Sequence, residues 1–331
     1  MQSPTAINHT GRWEPAKRGH EVGSTMGKIV VVGSANIDYV FRVRRCPEAG
    51  ETVHGLGWSV HPGGKGANQA VAAAKLGGRV VFVAKVGLDA QTEAMLESYV
   101  QAGIHADTIL RTQAQPTGAA AIWVDEVGQN RIVVVGGANG ELTADEVRRT
   151  TDNFADAQIA LFQHETPAET VESAILGSPP SVRVILNPAP ARTVPDAVLE
   201  RLWLITPNES EAQALTGIAP DSEAACSEAA EWFLRRGVRN VAITLGERGC
   251  WIQGQGKPGL LLPAPKVDPV DTTAAGDAFN GALAVFLAEG RSLEEAARWA
   301  NRAGALSTTR PGAQPSLPTR AELEAYAREP A

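Results

Sequence analysis

Short, continuous apolar runs recur along the chain and alternate with segments whose apolar residues have helical spacing. The apolar runs lie at 29–32, 80–83, 159–162, 182–186, 202–205 and 241–245. The helical patterns lie at 67–76, 92–102, 144–154, 168–176, 210–216, 223–236 and 277–289. Buried strands that alternate with helices predict a doubly wound α/β fold, in which a mainly parallel sheet carries helices on both faces. Ligands of such folds bind beyond the carboxyl ends of the strands.

Two segments depart from this alternation, because their apolar and polar residues alternate singly as in half-exposed strands. They lie at 39–60, around a Pro47-Glu-Ala-Gly50 turn, and at 118–136, around a polar turn at 125–130. Both patterns predict β-hairpins. We expect a small β-sheet lid over the active site, spanning about 39–62 and 115–138; the alternative is extra strands of the main sheet. A lid with an exposed apolar face would be covered by formation of a homodimer.

The chain has 331 residues, which is enough for one large α/β domain or two average ones. Hydrophobic residues make up 44% of it and charged residues 20%, values typical of globular enzymes. The formal net charge of −7 argues against binding to nucleic acid or to anionic membranes, since both favour a basic surface. An anionic ligand such as ATP would need a local pocket of hydrogen-bond donors and a cation.

Residues 1–25 have no hydrophobic periodicity and no apolar core of a signal peptide. We expect either a disordered N-terminal extension there or an artefact of the choice of start site, with residues 26–325 forming the α/β domain. The cysteines Cys46, Cys226 and Cys250 are widely spaced without a C-x-x-C pair, which indicates neither a disulfide framework nor a zinc site. With this cysteine usage we expect a cytoplasmic protein. No run approaches the 18 apolar residues of a membrane span.

The strongest candidate for chemistry is the stretch from Val270 to Leu283, where small residues lead into a predicted helix. The N–H groups of Ala274, Ala275 and Gly276 can approach a ligand closely, and a helix N-terminus attracts anions. The carboxylate of Asp277 beside such an anion hole can accept a proton while the donors stabilise growing negative charge. The alternative is that Asp277 caps the helix and the small residues serve tight packing.

Further candidates follow the first strand and open the first helix. Asn36 and Asp38 face the same way on an extended segment and can bind adjacent hydroxyls of a polyol; a self-capping turn is the alternative. In the run from His61 to Gly77, glycines free the backbone to approach a ligand, and polar side chains lie at the same place. The residues concerned are Gly63, Gly64, Lys65, Gly66 and Asn68.

Three later strands also end in polar or glycine-rich residues. Glu165 follows one strand, and Thr244, Gly246 and Gly249 end another in a loop suited to phosphate or a nucleotide. Asn208 and Glu211 lie where they could position a hydrated Mg²⁺, or could cap a helix N-terminus instead.

Five motifs, in the same order along the chain, resemble the ribokinase/PfkB family of sugar kinases. They are Gly33-Ser-Ala-Asn-Ile-Asp38, Gly63-Gly-Lys-Gly-Ala-Asn-Gln69, Thr206-Pro-Asn-Glu-Ser-Glu211, Asp271-Thr-Thr-Ala-Ala-Gly-Asp277 and Arg310-Pro-Gly-Ala-Gln-Pro-Ser316. The resemblance covers about 27–325. It implies a doubly wound α/β domain with a β lid that often joins a second subunit, and ATP-dependent phosphorylation of D-ribose at its O5 hydroxyl.

The resemblance also implies roles for single residues. Asp277 would be the base that deprotonates the sugar hydroxyl, with the amides of Ala274, Ala275 and Gly276 as the anion hole. Ribose would be held by Asn36, Asp38, Gly63, Gly64, Lys65, Asn68 and Glu165. ATP and its Mg²⁺ would be held by Asn208, Glu211, Thr244, Gly246, Gly249 and Asn301. An activating K⁺ would lie at Asp271, Thr273, Ser307, Gly312 and Ser316, partly through backbone carbonyls.

The chain departs from the family pattern at His164, where the family has leucine, and at Pro311 beside the implied cation loop. Two other functions remain open. One is a related kinase that acts on deoxyribose, fructose or adenosine. The other is a non-catalytic regulator that binds a sugar or a nucleotide, whose signature would be the loss of the base or of the anion hole.

Overall fold

The computed structural model describes residues 27–126 and 129–328, so the expected disorder at 1–25 lies outside the described residues. Its strands are β1 Lys28–Val32, β2 Asn36–Val43, β3 Gly55–Gly63, β4 Arg79–Val86, β5 Ile109–Arg111, β6 Gly118–Val124, β7 Asn130–Val135, β8 Ala157–Phe162, β9 Arg183–Leu186, β10 Leu204–Ile205, β11 Asn240–Thr244, β12 Cys250–Gly254 and β13 Leu260–Leu262. Its α-helices are α1 Lys65–Lys75, α2 Ala90–Gln101, α3 Ala144–Arg148, α4 Ala168–Gly177, α5 Asp196–Arg201, α6 Glu209–Thr216, α7 Glu223–Leu234, α8 Ala275–Ala288, α9 Leu293–Ser307 and α10 Arg320–Tyr326.

The main sheet has nine strands in the order β13-β12-β11-β10-β9-β8-β1-β4-β5. All neighbours pair in parallel except β11 with β12 and β12 with β13. The strand order reverses at β1, which pairs with β4 on one side and with β8 on the other. A crevice is expected at the carboxyl ends of the strands beside such a reversal. The predicted doubly wound α/β fold is confirmed.

Strand β1 shows why the sheet is covered on both faces. Alternate residues of a strand point to opposite faces, and every residue of β1 is buried. Ile29 and Val31 join an apolar cluster that includes α1, α8 and α9, whereas Val30 and Val32 join one that includes α4 and α7. Continuous apolar runs therefore mark the central strands correctly.

The two segments with alternating polarity form a separate four-stranded sheet in the order β3-β2-β6-β7. Strands β2 and β3 pair antiparallel, as do β6 and β7, and β2 pairs with β6 in parallel. Both predicted hairpins are confirmed, and the alternative of extra strands in the main sheet is wrong. Because β2 begins four residues after β1 ends, the small sheet starts beside the crevice.

Several boundaries differ from the sequence prediction. The helix predicted over 144–154 ends at Arg148, because the Thr150 hydroxyl donates to the Val147 carbonyl at 2.6 Å and a 3₁₀ turn follows at Thr151–Asn153. The strand predicted over 202–205 is only Leu204–Ile205. Helices α1 and α8 each begin two residues before their predicted starts.

None of the helices in the described ranges combines the length and the apolar character that a membrane crossing requires. The three cysteines, Cys46, Cys226 and Cys250, are free thiols, and the last two are buried.

Candidate active site

Asp277 lies in the first turn of α8, buried at the end of the crevice beside α1. Its Oδ2 accepts a hydrogen bond from Asn68 Nδ2 at 3.0 Å, and its Oδ1 accepts one from Gln69 Nε2 at 2.9 Å. Burial raises the pKa of Asp277, while the Lys65 ammonium and the two amide donors oppose that rise. This carboxylate is the only acid in the first turn of α8.

The backbone at the start of α8 is tightly bent. Ala274 adopts the left-handed conformation with φ of 60°, which costs a residue with a Cβ about 1–2 kcal/mol. The Ala275 N–H donates to the Thr272 carbonyl at 3.3 Å, and the Ala278 N–H donates to the Ala274 carbonyl at 2.8 Å. Helix geometry then directs the N–H groups of Gly276 and Asp277 beyond the N-terminus, where an anion can accept from them.

Carboxylates line the side of the crevice that faces β1 and the small sheet. Glu165 Oε2 accepts from the Ser34 hydroxyl at 2.6 Å and from the Lys65 N–H at 2.9 Å. Burial raises the pKa of Asp38 to about 7, with further contributions from Glu165 and Asp277. The same carboxylates act on Lys65, whose pKa is raised chiefly by Asp277, so its ammonium stays charged.

The glycines beside these side chains allow the close approach. A Cβ on Gly63 would lie 2.0 Å from Asp38 Oδ2, and Gly64 has φ of 87° with the Asn36 backbone nitrogen 2.9 Å from where its Cβ would be. The Asn36 side chain is oriented by Asn139, whose Nδ2 donates to Asn36 Oδ1 at 2.7 Å. The structure therefore brings together the residues for which the sequence indicated polyol binding.

An open cavity of about 1220 Å³ adjoins the N-terminus of α8 on the side of β11 and α9. The predicted residues that line it are Asn208, Thr244, Gly246, Gly249, Ala275, Gly276 and Asn301. Residues 264–269 form another part of its wall, although they belong to none of the motifs identified in the sequence. The cavity is large enough for a nucleotide, and one end of it is the same helix N-terminus that carries Asp277.

Asn208 and Glu211 form a capping box at the start of α6. Asn208 Oδ1 accepts from the Glu211 N–H at 2.8 Å, and Glu211 Oε2 accepts from the Asn208 N–H at 2.9 Å. The two residues therefore cap the helix, which was the alternative interpretation. Capping uses one polar atom of each side chain and leaves the second available to a ligand. No cluster of three or more metal-binding side chains occurs among the described residues. One or two carboxylates with phosphate and water are what Mg²⁺ uses at nucleotide sites, so Glu211 fits such an ion.

Asn301 and Gly249 fix the loop that follows β13. Asn301 Nδ2 donates to the Leu262 carbonyl at 2.9 Å and lies 3.4 Å from the Pro263 carbonyl. A Cβ on Gly249 would lie 2.0 Å from the Leu262 carbonyl oxygen. Both residues therefore shape one wall of the cavity.

The residues of the implied cation site surround two neighbouring loops. Asp271 Oδ1 accepts from the Thr273 N–H at 2.9 Å and its Oδ2 accepts from the Gly312 N–H at 2.8 Å. These bonds outweigh burial and hold the pKa of Asp271 below its usual value. The hydroxyls of Ser307 and Ser316 donate to the carbonyls of residues 304 and 313, both at 2.8 Å. Their oxygen lone pairs remain, which suits a large cation bound by neutral oxygens and one carboxylate.

The second of these loops is tied to α1. Gln314 Nε2 donates to Asn68 Oδ1 at 3.2 Å. Lys75 Nζ donates to the carbonyls of Gln314 at 2.8 Å and Leu317 at 3.1 Å. Asn68 thus contacts both the loop and Asp277.

His164 lies next to Glu165 but serves the fold. Its Nδ1 is 3.1 Å from the Pro190 carbonyl. Burial, with the nearby Arg192 guanidinium, lowers the pKa of His164 to about 4, so its ring is neutral.

Sequence patterns missed a set of buried polar residues behind Asp277. They are Gln69, Gln163, Asn187, Thr206 and Asn280. Gln69 and Thr206 belong to motifs already singled out, but neither was given a role. The sequence contained a signal for each of them, because each is a polar residue at an otherwise apolar position of a helix or at a strand end. A buried polar side chain at such a position needs a hydrogen-bond partner.

A family model described as pfkB family carbohydrate kinase matches residues 26–320. The ribokinase of Haemophilus influenzae is 40% identical over 295 residues, which are 89% of this chain and 96% of that protein.

Two solved structures have the same fold. The crystal structure of ribokinase from Thermotoga maritima has a TM-score of 0.84 and 40% identity, covering 92% of this chain and 100% of that one. The structure of Arabidopsis thaliana ribokinase complexed with ribose and ATP has a TM-score of 0.84 and 33% identity, with the same coverage of 92% and 100%.

Proposed function

The chain belongs to the pfkB family of carbohydrate kinases, and on this premise we propose that it transfers the γ-phosphoryl group of ATP to the O5 hydroxyl of D-ribose. The observation that carries the proposal is the position of Asp277. Its carboxylate is buried at the helix N-terminus that separates the carboxylate-lined crevice from the cavity of about 1220 Å³. A sugar in the crevice and a nucleotide in the cavity would meet at this residue.

The reaction proceeds by positioning and charge neutralisation. Asp277 accepts the proton of the attacking hydroxyl, while the N–H groups at the start of α8 stabilise negative charge on the transferred phosphoryl group. Asp38, Asn36 and Glu165, with the backbone at Gly63 and Gly64, bind the sugar hydroxyls. Lys65 stays protonated and offsets the carboxylate charge of the crevice.

Glu211 and Asn208 would hold the Mg²⁺ that accompanies ATP, and the ion supplies charge neutralisation at the phosphates. We also propose that the loops at Asp271 and Gly312 bind K⁺. A cation there would stabilise the bent backbone that leads from Asp271 to Ala274, and therefore the anion hole.

The small sheet is proposed to be a lid that excludes water from the crevice. The residues Trp58, Ile132, Val133, Val134 and Val135 expose 52–68% of their surface. A second copy of the chain would cover this apolar area, so we propose a homodimer formed through the lid. Free cysteines fit the expected cytoplasmic setting.

The test is a coupled ADP-release assay with Mg-ATP and a panel of ribose, deoxyribose, fructose and adenosine, with and without K⁺. We expect ribose-dependent turnover that K⁺ stimulates. Asp277→Asn should lower kcat by about 10²–10⁴-fold, because the base is lost, and should retain ATP binding.

Preference for another member of the panel would contradict the assignment of ribose but not the mechanism. ATP binding without turnover on any of them would instead favour a non-catalytic regulator. Near-normal turnover of Asp277→Asn would contradict the role of that residue.

A further inference from the structure

A ring of buried polar side chains lies behind the first turn of α8. We propose that Gln69 is a positioning residue that fixes the orientation of the Asp277 carboxylate, while the neighbouring Asn68 exchanges its bond with the substrate. The inference rests on the proposed role of Asp277 as the base and extends it to the groups that hold the base in place.

The ring is continuous. Gln69 Nε2 donates to Asp277 Oδ1 at 2.9 Å and to Asn187 Oδ1 at 3.0 Å. Asn187 Nδ2 donates to the Thr206 carbonyl at 2.9 Å, and the Thr206 hydroxyl donates to Asn280 Oδ1 at 2.7 Å. Asn280 Nδ2 then donates to the Gly276 carbonyl at 2.8 Å, and Gly276 is the peptide neighbour of Asp277. The ring therefore holds the base and the anion-hole backbone together.

The orientation of the Gln69 amide is determined by its partners. Gln163 Nε2 donates to Gln69 Oε1 at 2.7 Å. The reverse orientation would place Gln69 Oε1 against the Oδ1 atoms of ionised Asp277 and of Asn187, neither of which can donate to it. Both N–H groups of Gln69 are thus committed, one to the carboxylate and one to the ring.

Asn68 and Gln69 differ in their access to the crevice. Gln69 has no exposed surface and its amide is enclosed by protein, whereas Asn68 is 6% exposed. Asn68 contacts Asp277 Oδ2 from the same helix turn that carries Lys65. A sugar hydroxyl that approaches Asp277 competes with Asn68 for Oδ2 and cannot reach Gln69.

A fixed donor matters because burial favours the protonated form of Asp277. Burial raises the pKa of this carboxyl, and the Gln69 bond is one of the effects that oppose the rise. When the substrate takes the place of Asn68, the Gln69 bond remains. A protonated Asp277 cannot act as a base, so the loss of this donor should appear in the pH dependence of the reaction.

The experiment compares pH profiles of kcat/KM for ribose in the wild-type enzyme and in Gln69→Met, which keeps the side-chain length but removes both donors. We expect the acidic limb of the profile to move up by about one to two pH units, with kcat at neutral pH reduced and KM for ATP unchanged. Gln69→Glu keeps the shape and adds a second carboxyl beside Asp277, so it should move the limb at least as far. It also carries the test if Gln69→Met does not fold.

Gln163→Met is the matched control, because it removes one buried bond to Gln69 Oε1 and leaves both donors of Gln69. It should lower the melting temperature without moving the acidic limb. A folded Gln69 variant whose pH profile has the same acidic limb as the wild type would overturn the inference. It would show that Gln69 contributes to packing alone and does not position the base. A wild-type enzyme that releases no ADP with any sugar would instead overturn the proposed function.

Discussion

Burial and two neighbouring carboxylates together set the charge state of Asp38 in the crevice. Burial first, and then Glu165 and Asp277, raise the pKa of Asp38 to about 7. A buried acid with that pKa carries a proton over much of the neutral range. Its ionised form can accept hydrogen bonds from sugar hydroxyls, so the charge and the occupancy of this crevice are linked.

The pH dependence of stability tests this charge state. The pKa of Asp38 is raised from 3.8 to about 7 on folding, so the folded protein binds a proton there that the unfolded chain releases. The stabilisation that this bound proton gives is complete below the pKa of Asp38 in the unfolded chain. It is lost as the pH rises through the pKa of Asp38 in the folded protein. We expect the free energy of unfolding to fall between pH 4 and pH 7 by up to about 1.4 kcal/mol per unit through this group, and to level off above.

Urea unfolding of the wild type and of Asp38→Asn at several pH values measures that slope. Asp38→Asn should lack the part of the pH slope that Asp38 contributes. Glu165→Gln should reduce that part, because Glu165 is one of the causes of the raised pKa of Asp38. Parallel curves for the wild type and Asp38→Asn would show that Asp38 is ionised throughout this range.

At the scale of elements, the site depends on the contact between α1 and α8. A Cβ on Gly281 would lie 2.5 Å from the Ala72 Cβ and 2.8 Å from the Gln69 carbonyl. The two helices can approach this closely only because position 281 has no side chain. The contact holds Asn68 and Gln69 of α1 within hydrogen-bonding distance of Asp277 on α8.

Gly281→Ala separates helix propensity from packing. Alanine favours a helix by about 1 kcal/mol, but forcing a methyl group into this contact costs about 1–3 kcal/mol. We therefore expect a lower melting temperature and a lower kcat, since α8 must move away from α1. Gly177→Ala at the end of α4 is the control, because its Cβ would meet nothing within 4 Å, and it should be neutral or stabilising. Equal effects of the two substitutions would contradict the packing argument.

Elements with strong local signals were predictable from the sequence, and those that depend on distant partners were not. The apolar run at Ile29–Val32 marked a central strand, and the Asn208 and Glu211 pair predicted a capping box that the structure contains. The short edge strand β5 was missed, because its pairing with β4 decides its conformation. The partners of Gln69 lie 94 to 208 positions away in sequence, so no local pattern reveals them.

At the scale of the whole molecule, the small sheet is the part that a single chain leaves least covered. Every residue of the edge strand β7 is exposed, although four of the six are Ile or Val. An exposed edge with apolar side chains promotes pairing with another chain. This supports the proposal of a homodimer that buries the lid.

Charged substitutions on β7 test the dimer. Val133→Glu combined with Val135→Glu should convert a dimer to monomers in sedimentation velocity, because the interface would have to bury two unpaired carboxylates. Leu176→Glu is the control, since Leu176 is 51% exposed on α4 in the main domain. A wild-type monomer at micromolar concentration, or a dimer that survives the double substitution, would contradict the proposal.

The bond from Gln314 to Asn68 joins residues 246 positions apart in the chain. Asn68 leaves the ribosome long before Gln314, so this contact and those of Lys75 with the same loop cannot form during most of synthesis. Asp277 also emerges late, after the crevice residues of β1, β2 and α1. A nascent chain can therefore fold much of its sheet while its catalytic groups are still unassembled, and phosphoryl transfer has to wait for the last part of translation.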